Sequence, residues 1–406
     1  MTDKKEKTGY SFGNTGFLPQ EEMLETGKKK KKLVIGIPKE NKKKESRVGL
    51  TPEAVEILVN AGHEIIIEKG AGLAANYTDT DYSECGGQIV DTKTEVFNSD
   101  IILKIAPPTI EEIELFKQNQ ILFSSLNFPS QTEEFVRKLM KKKITAISFE
   151  GLKDNDNCYP VIRSMSEIAG TSSILIAAEY LSNVNSGKGV LLGGITGITP
   201  TEVVILGAGT AAEYAARAAI GLGAFIKVFD FSISKLKRLQ TSLSNRLFTS
   251  VFHPRVLEKH LKSADVVIGA VHLDDKGPQF LITEEMVKGM KKGAVIVDLS
   301  IDQGGCVETS VCRSHASPVY TKYDVIHYSV PNIASRVART ASIGISNVFN
   351  PLLLSIADSG GVQKQLKDDA GLRHGVYIYN GILTSERIGN YFGIPSRDIE
   401  LLMAVF

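Results

Sequence analysis

Gly207-Ala208-Gly209-Thr210-Ala211-Ala212 directly follows the apolar run 203–206 and precedes the helix-forming run 215–219. This is a G-x-G-x-x-A order. Gly207 permits a tight turn, Gly209 lets backbone approach a pyrophosphate, and small Ala212 lets helix and strand pack closely. A helix opening at Thr210 and Ala211 offers free N–H groups and partial positive charge to the phosphates. A second apolar run ends in Asp230, 23 positions beyond Gly207, close to the ~20 at which an acid meets a ribose in dinucleotide-binding folds. A carboxylate there accepts hydrogen bonds from both ribose hydroxyls and repels a 2′-phosphate, so NAD is expected over NADP. The plainer alternative is an ordinary strand-to-helix turn followed by a surface aspartate.

The elements that must position this turn alternate between strand and helix. Strands are expected at 33–37, 64–68, 101–105, 120–124 and 144–149, with helices at 51–59 and 133–142, which suggests a parallel α/β domain. Thr51-Pro52 supplies an N-cap and an N1 proline for the first of those helices. A long helix from about 165 to 181 reads as a connector. Strands at 203–206, 225–230, 250–252, 266–271, 295–299 and 325–329 then make the six of two mononucleotide-binding halves. A helix at 343–356 returns toward the first domain, and the tail 375–406 completes it. The expected fold is α/β with two Rossmann-like domains, an NAD-binding domain at 165–339 inserted in a discontinuous substrate domain at 33–164 and 340–406. Residues 1–32 form a polar, lysine-rich extension. The cleft between domains is the default substrate site.

Composition narrows the function classes. With 406 residues, 43% hydrophobic and 23% charged, the chain has the make-up of a soluble globular protein. A formal net charge of +1 gives no electrostatic case for nucleic acid or an anionic membrane. No uninterrupted apolar run approaches a membrane span, and the N-terminus lacks the apolar stretch of a secretory leader. Four irregularly spaced cysteines, without a C-x-x-C pair, fit free thiols in a reducing cytoplasm and no metal site.

The chain resembles the alanine dehydrogenase and pyridine-nucleotide transhydrogenase family. The resemblance is carried by Gly36-Ile37-Pro38-Lys39-Glu40, Ser46-Arg47-Val48-Gly49-Leu50-Thr51-Pro52, Glu68-Lys69-Gly70-Ala71-Gly72, Met165–Gly170, the Gly207 turn and Val297–Cys306. Within the family, Ile301-Asp302-Gln303-Gly304-Gly305 and the spacing from Glu150 to Met165 look more like the dehydrogenase. The loop typical of the transhydrogenase is not recognisable. The resemblance implies an NAD-dependent oxidative deamination of a small amino acid to a 2-oxo acid and ammonium, by a homo-oligomer. Arg47 matches the arginine that holds the substrate carboxylate. Asp302 matches the acid beside the nicotinamide, where it orients water or ammonium. Ser166, Val271, His272, Asp302 and Asn332 are the implied contacts on the nicotinamide side, beyond the Gly207, Gly209, Thr210, Ala211, Ala212 and Asp230 set.

Two positions depart from the family. Where alanine dehydrogenases carry Lys-x-Lys-x-Pro, this chain has Lys104-Ile105-Ala106-Pro107-Pro108, so the substrate lysine falls on Ala106. The substrate-facing histidine falls on Asn127, which can hydrogen-bond a carbonyl but cannot shuttle protons near neutral pH. Losing acid–base help alone typically costs about 10²–10⁴ in rate. Lys104 reaching into the vacated space is one reading. His272 supplying the base is another, and a site that turns over a different substrate, or none, is the third. Arg163 and Arg336 are further candidates for the lost charge, with surface roles as their alternative. On these departures a transhydrogenase-like hydride-transfer domain and a non-catalytic NAD(H)-binding protein stay open beside the dehydrogenase.

Overall fold

The computed structural model describes residues 30–41, 45–126, 130–243, 247–271 and 280–405. Asn127, His272 and most of the lysine-rich extension lie outside them.

Two sheets organise the chain. The first runs β1 (Val34–Ile37), β2 (Glu64–Glu68), β3 (Gln88–Val90), β4 (Ile101–Leu103), β5 (Ile121–Ser124) and β6 (Thr145–Ser148), and is completed much later in the chain. The second holds β7 (Glu202–Leu206), β8 (Phe225–Asp230), β9 (Phe248–Val251), β10 (Val266–Gly269), β11 (Val295–Asp298), β12 (Val319–Lys322) and β13 (Val325–Tyr328). After it, β14 (Val376–Tyr379) and β15 (Ile382–Leu383) return to the edge of the first sheet.

The parallel part of the first sheet is ordered β3-β2-β1-β4-β5-β6, and that of the second β9-β8-β7-β10-β11-β13. Both are the doubly wound order, which opens a crevice where the strand order reverses, beyond the carboxyl ends of the central strands. Strands β7, β10 and β11 are apolar almost throughout because parallel strands are covered on both faces. Leu33, Ile35, Ile37 and Phe123 pack against Ile345, Phe349 and Leu353 of the late helix Ala338–Ser359. That helix is apolar and long enough to cross a membrane by composition alone. Its core-facing side chains Ile345, Phe349 and Leu353 are fully buried.

Several elements differ from the sequence expectation. The connector helix begins at Pro160, with proline at the first helical position, and runs to Leu181. The second sheet gains a seventh strand, β12, paired antiparallel to β13 at the edge. Its half-exposed residues carry neither a long apolar run nor a clean alternation. Strands β3, β14 and β15 are likewise too short for a periodic signal.

Candidate functional site

The cofactor turn forms because β7 must pass into a helix within three residues. Gly207 takes φ +105°, and a Cβ there would lie 2.2 Å from the Ala270 carbonyl oxygen, so only glycine fits. Gly209 is the N-cap of the helix Thr210–Gly221, which places Thr210 and Ala211 in its first turn. A Cβ on Gly209 would meet no heavy atom within 4 Å among the described residues, which leave the space before the helix N-terminus open. Ala212 is fully buried. Gly170 of the connector helix lets the two helices cross closely, since its Cβ would sit 2.1 Å from the Ala211 carbonyl oxygen. Asp230 is buried at the end of β8 and accepts the Ala208 N–H and the Ser232 N–H, each at 2.7 Å. The open space, free helix N–H groups and adjacent carboxylate fit a dinucleotide.

At the next strand ends, Ser300 Oγ donates to the Val271 carbonyl at 2.7 Å, joining the turns after β10 and β11. Asp298, missed in the sequence, anchors the second of these turns. Its carboxylate accepts the Ser300 and Cys306 N–H groups and the Ser310 hydroxyl. Burial pushes its pKa above the ordinary value, against those hydrogen bonds. Asp302 rides on the resulting 3-10 turn, Ile301–Gln303, and is exposed. Gly304 and Gly305 reverse the chain at φ +101° and +81°.

Arg47 lies on an irregular run held by the late helix and the turn Ile333–Val337 before it. The Ser46, Val48 and Thr51 N–H groups donate to the hydroxyls of Ser335, Ser342 and Ser346 at 2.8, 2.9 and 3.1 Å. Those bonds fix the backbone where no described strand pairs with it. The guanidinium grips Glu45 with Nε to Oε1 at 2.8 Å and Nη2 to Oε2 at 2.7 Å. Nη1 faces the Met165 sulfur at 3.3 Å, beside Ser166 on the connector helix. Both charged side chains are nearly inaccessible, 10% and 4% exposed. Burial alone would raise the Glu45 pKa, yet Arg47 and the Asn332 amide hold it below the ordinary value.

Asn332 reaches the arginine run: its amide donates to Glu45 Oε2 at 2.6 Å, from a left-handed backbone at φ +58°. His315, also missed, faces the Asn332 carbonyl at 3.3 Å, and burial lowers its pKa. Glu45 closes a run of three lysines in the sequence and so reads as one more surface charge. Its position two residues before Arg47 was the only available signal.

Lys104 is held elsewhere. Its Nζ lies 2.5 Å from Glu40 Oε2 and 3.7 Å from Glu112, and it is 3% exposed. Glu40 also accepts the Ile105 and Ala106 N–H groups at 2.6 and 3.2 Å. Burial raises the Glu40 pKa despite the opposing charge of Lys104. Arg163 pairs with Glu167 one helical turn on, and Arg336 with Glu179.

The comparisons with known proteins agree with this geometry. Residues 36–169 match the domain described as alanine dehydrogenase/PNT, N-terminal, and residues 173–386 match its C-terminal counterpart. The chain belongs to the alanine dehydrogenase/PNT family. Among the family's members, an alanine dehydrogenase of Staphylococcus saprophyticus is 39% identical over 91% of this chain and 99% of its own length. One of Methanococcus maripaludis is 40% identical with the same coverage. A solved L-alanine dehydrogenase superposes with a TM-score of 0.83 at 35% identity, covering 89% of this chain and 99% of that one. A transhydrogenase from Sinorhizobium meliloti shares the fold, with a TM-score of 0.75 at 22% identity.

Proposed function

We propose that this chain is an NAD-dependent amino-acid dehydrogenase interconverting L-alanine, NAD and water with pyruvate, ammonium and NADH. Among the site's features, the reading is carried by Arg47. Its Nε–Nη2 edge is taken by Glu45, which leaves an N–H on each terminal nitrogen for a carboxylate, beyond the one facing Met165. The domain at 165–339 is the NAD-binding part, and 33–164 with 340–406 the substrate part. NAD is held through the Gly207–Ala212 turn and Asp230, with Ser166, Val271, His272 and Asn332 toward the nicotinamide. Bound NAD would supply the acceptor for the hydride leaving the substrate Cα.

The chain's own residues do the rest. Arg47 binds and orients the substrate carboxylate. Asp302 is a solvent-facing carboxylate that accepts hydrogen bonds from water or ammonium and so aligns them with the imine or carbonyl carbon. Asn127 donates to the carbonyl oxygen. Lys104, paired with Glu40, holds the turn that carries Ala106, since Glu40 also accepts the Ala106 N–H. A homo-oligomer in the cytoplasm is the fitting state, and exposed Val184, Leu191, Ile195 and Ile198 between the connector helix and β7 favour a covered surface.

A second reading, an NAD(H)-binding protein without amino-acid turnover, is favoured by the Glu40–Lys104 pair, which neutralises the cation nearest the altered position. One assay separates the two. NADH, pyruvate and ammonium are mixed with the protein and NADH absorbance is followed. Turnover is expected, and Arg47→Ala should cut kcat/KM by ~10²–10⁴ by removing two charge-assisted hydrogen bonds. Tight NADH binding with no turnover on any 2-oxo acid would leave the second reading. Hydride exchange with an NADP analogue only when a partner polypeptide is added would favour a transhydrogenase-like role.

A further inference from the structure

We infer that Glu45 is a positioning residue: it fixes Arg47 so that the far edge of the guanidinium receives the substrate carboxylate, and it ties that arginine to the cofactor side of the molecule. The inference rests on the carboxylate-binding role proposed for Arg47. Its ground is the saturation of one buried carboxylate. Oε1 accepts the Ser46 N–H at 3.1 Å, the Arg47 N–H at 2.9 Å, Arg47 Nε at 2.8 Å and the Ser335 hydroxyl at 3.1 Å. Oε2 accepts Arg47 Nη2 at 2.7 Å and the Asn332 amide at 2.6 Å. A carboxylate has about four lone-pair sites, so these donors leave no room for another.

That saturation decides between two roles. A carboxylate that merely occupied the substrate's place on Arg47 would have to leave when substrate arrives. Leaving would orphan the Arg47 N–H, the Ser335 hydroxyl and the Asn332 amide in a buried site, at a cost of about 1–3 kcal/mol for each unsatisfied group, while the Ser46 N–H would keep Ser335. Glu45 therefore stays, and Arg47 meets its ligand with the other edge. Two of the donors come from the segment after β13. Ser335 also accepts the Ser46 N–H at 2.8 Å, and Asn332 carries His315 on its own carbonyl. The orientation of the substrate arginine is thus set jointly by its local run and by residues that follow the cofactor sheet.

Pyruvate binding to the NADH-loaded protein, without ammonium so that nothing turns over, is read from nicotinamide fluorescence in the wild type, Glu45→Gln and Ser335→Ala. NADH affinity is measured alongside, and kcat and KM once ammonium is added. Glu45→Gln keeps the size but turns an acceptor into an N–H₂ group facing donors. It should weaken pyruvate binding about 10–100-fold and raise KM for pyruvate more than it lowers kcat, with NADH affinity unchanged. Ser335→Ala removes one donor to Glu45 and leaves the ion pair, so pyruvate should weaken by a smaller factor. Unchanged pyruvate binding in Glu45→Gln, or parallel loss of pyruvate and NADH, overturns the inference. If Glu45→Gln fails to fold, the same split is required of Ser335→Ala, and its absence overturns the inference equally. A wild type that binds pyruvate without turning it over sinks the dehydrogenase reading alone, and the comparison of variants still decides this one. A wild type that binds no pyruvate overturns both.

Discussion

The two sheets share one strand order, yet their first strands end in opposite ways. In the second sheet β7 stops at Leu206 and the chain turns at once through Gly207 and Gly209 into a helix. The backbone is bare there, and the described residues leave the space before the helix open. In the first sheet β1 stops at Ile37 and passes to Glu40, whose carboxylate is filled by Lys104 and two backbone N–H groups. Beyond it Glu45 and Arg47 lie on a stretch without regular secondary structure, and among the described residues the next helix opens at Pro52. One topology thus carries a turn that offers backbone donors to an anion and a turn packed with ion pairs. The strand order fixes where a crevice opens, and the residues beyond the first strand decide what it holds.

The largest test of that contrast falls on the charged turn. Lys104 and Glu40 are 3% and 7% exposed, and Lys104 leads on through Glu112 to Lys93. Lys104→Met strands a buried carboxylate and should cost about 3–5 kcal/mol in urea unfolding. Adding Glu40→Gln removes the stranded charge and should restore most of the loss. A double variant that is stable but inactive would show that Lys104 also serves the substrate, whereas a stable and active one would leave it a purely structural role.

The cofactor sheet carries its own buried ionisable group in a different form. His327 on β13 is fully buried and sits between the Val325 carbonyl at 3.0 Å and the Thr309 hydroxyl at 2.8 Å, as a neutral ring. Burial pushes its pKa down to about 4, from an ordinary 6.5. Between those values the folded state binds fewer protons than the unfolded one, so stability is full above pH 6.5 and is lost as pH falls toward 4. The loss from this group alone is about 3 kcal/mol. Urea midpoints at pH 7, 5.5 and 4.5 should show it, and His327→Gln should flatten that part of the profile. Glu45, whose pKa is lowered, adds loss below its ordinary range, while Glu40, whose pKa is raised, works in the other sense.

The open turn was legible in the sequence because every residue that makes it is local: a strand, six consecutive positions and one acid at the end of the next strand. The strand cores were legible for the same reason, as continuous apolar runs. The support of Arg47 was not. Ser335 and Asn332 lie 289 and 287 positions from the residues they hold, and no periodicity spans that distance. Glu45 and Asp298 were hidden by type, since an acid beside lysines or at a strand end looks like surface until its donors are seen. Lys104 was placed on the right strand end, but its partner came from the turn after β1.

The smallest expected effect separates the two glycines of the open turn. Gly207→Ala forces a Cβ within 2.2 Å of the Ala270 carbonyl oxygen on a backbone at φ +105°, a strain of about 1–3 kcal/mol that should lower the unfolding midpoint before any ligand is added. Gly209→Ala meets no atom of the described residues within 4 Å, and its φ of −81° suits any residue. Its stability should match the wild type. What the new methyl group occupies is the space through which a pyrophosphate would approach the helix N-terminus. NADH affinity should therefore fall by roughly tenfold, about 1.4 kcal/mol, with the urea midpoint unmoved. The opposite pattern, a destabilised Gly209→Ala with normal NADH binding, would mean that the opening is structural slack, and the contrast between an open turn and a charge-filled one would lose its functional meaning.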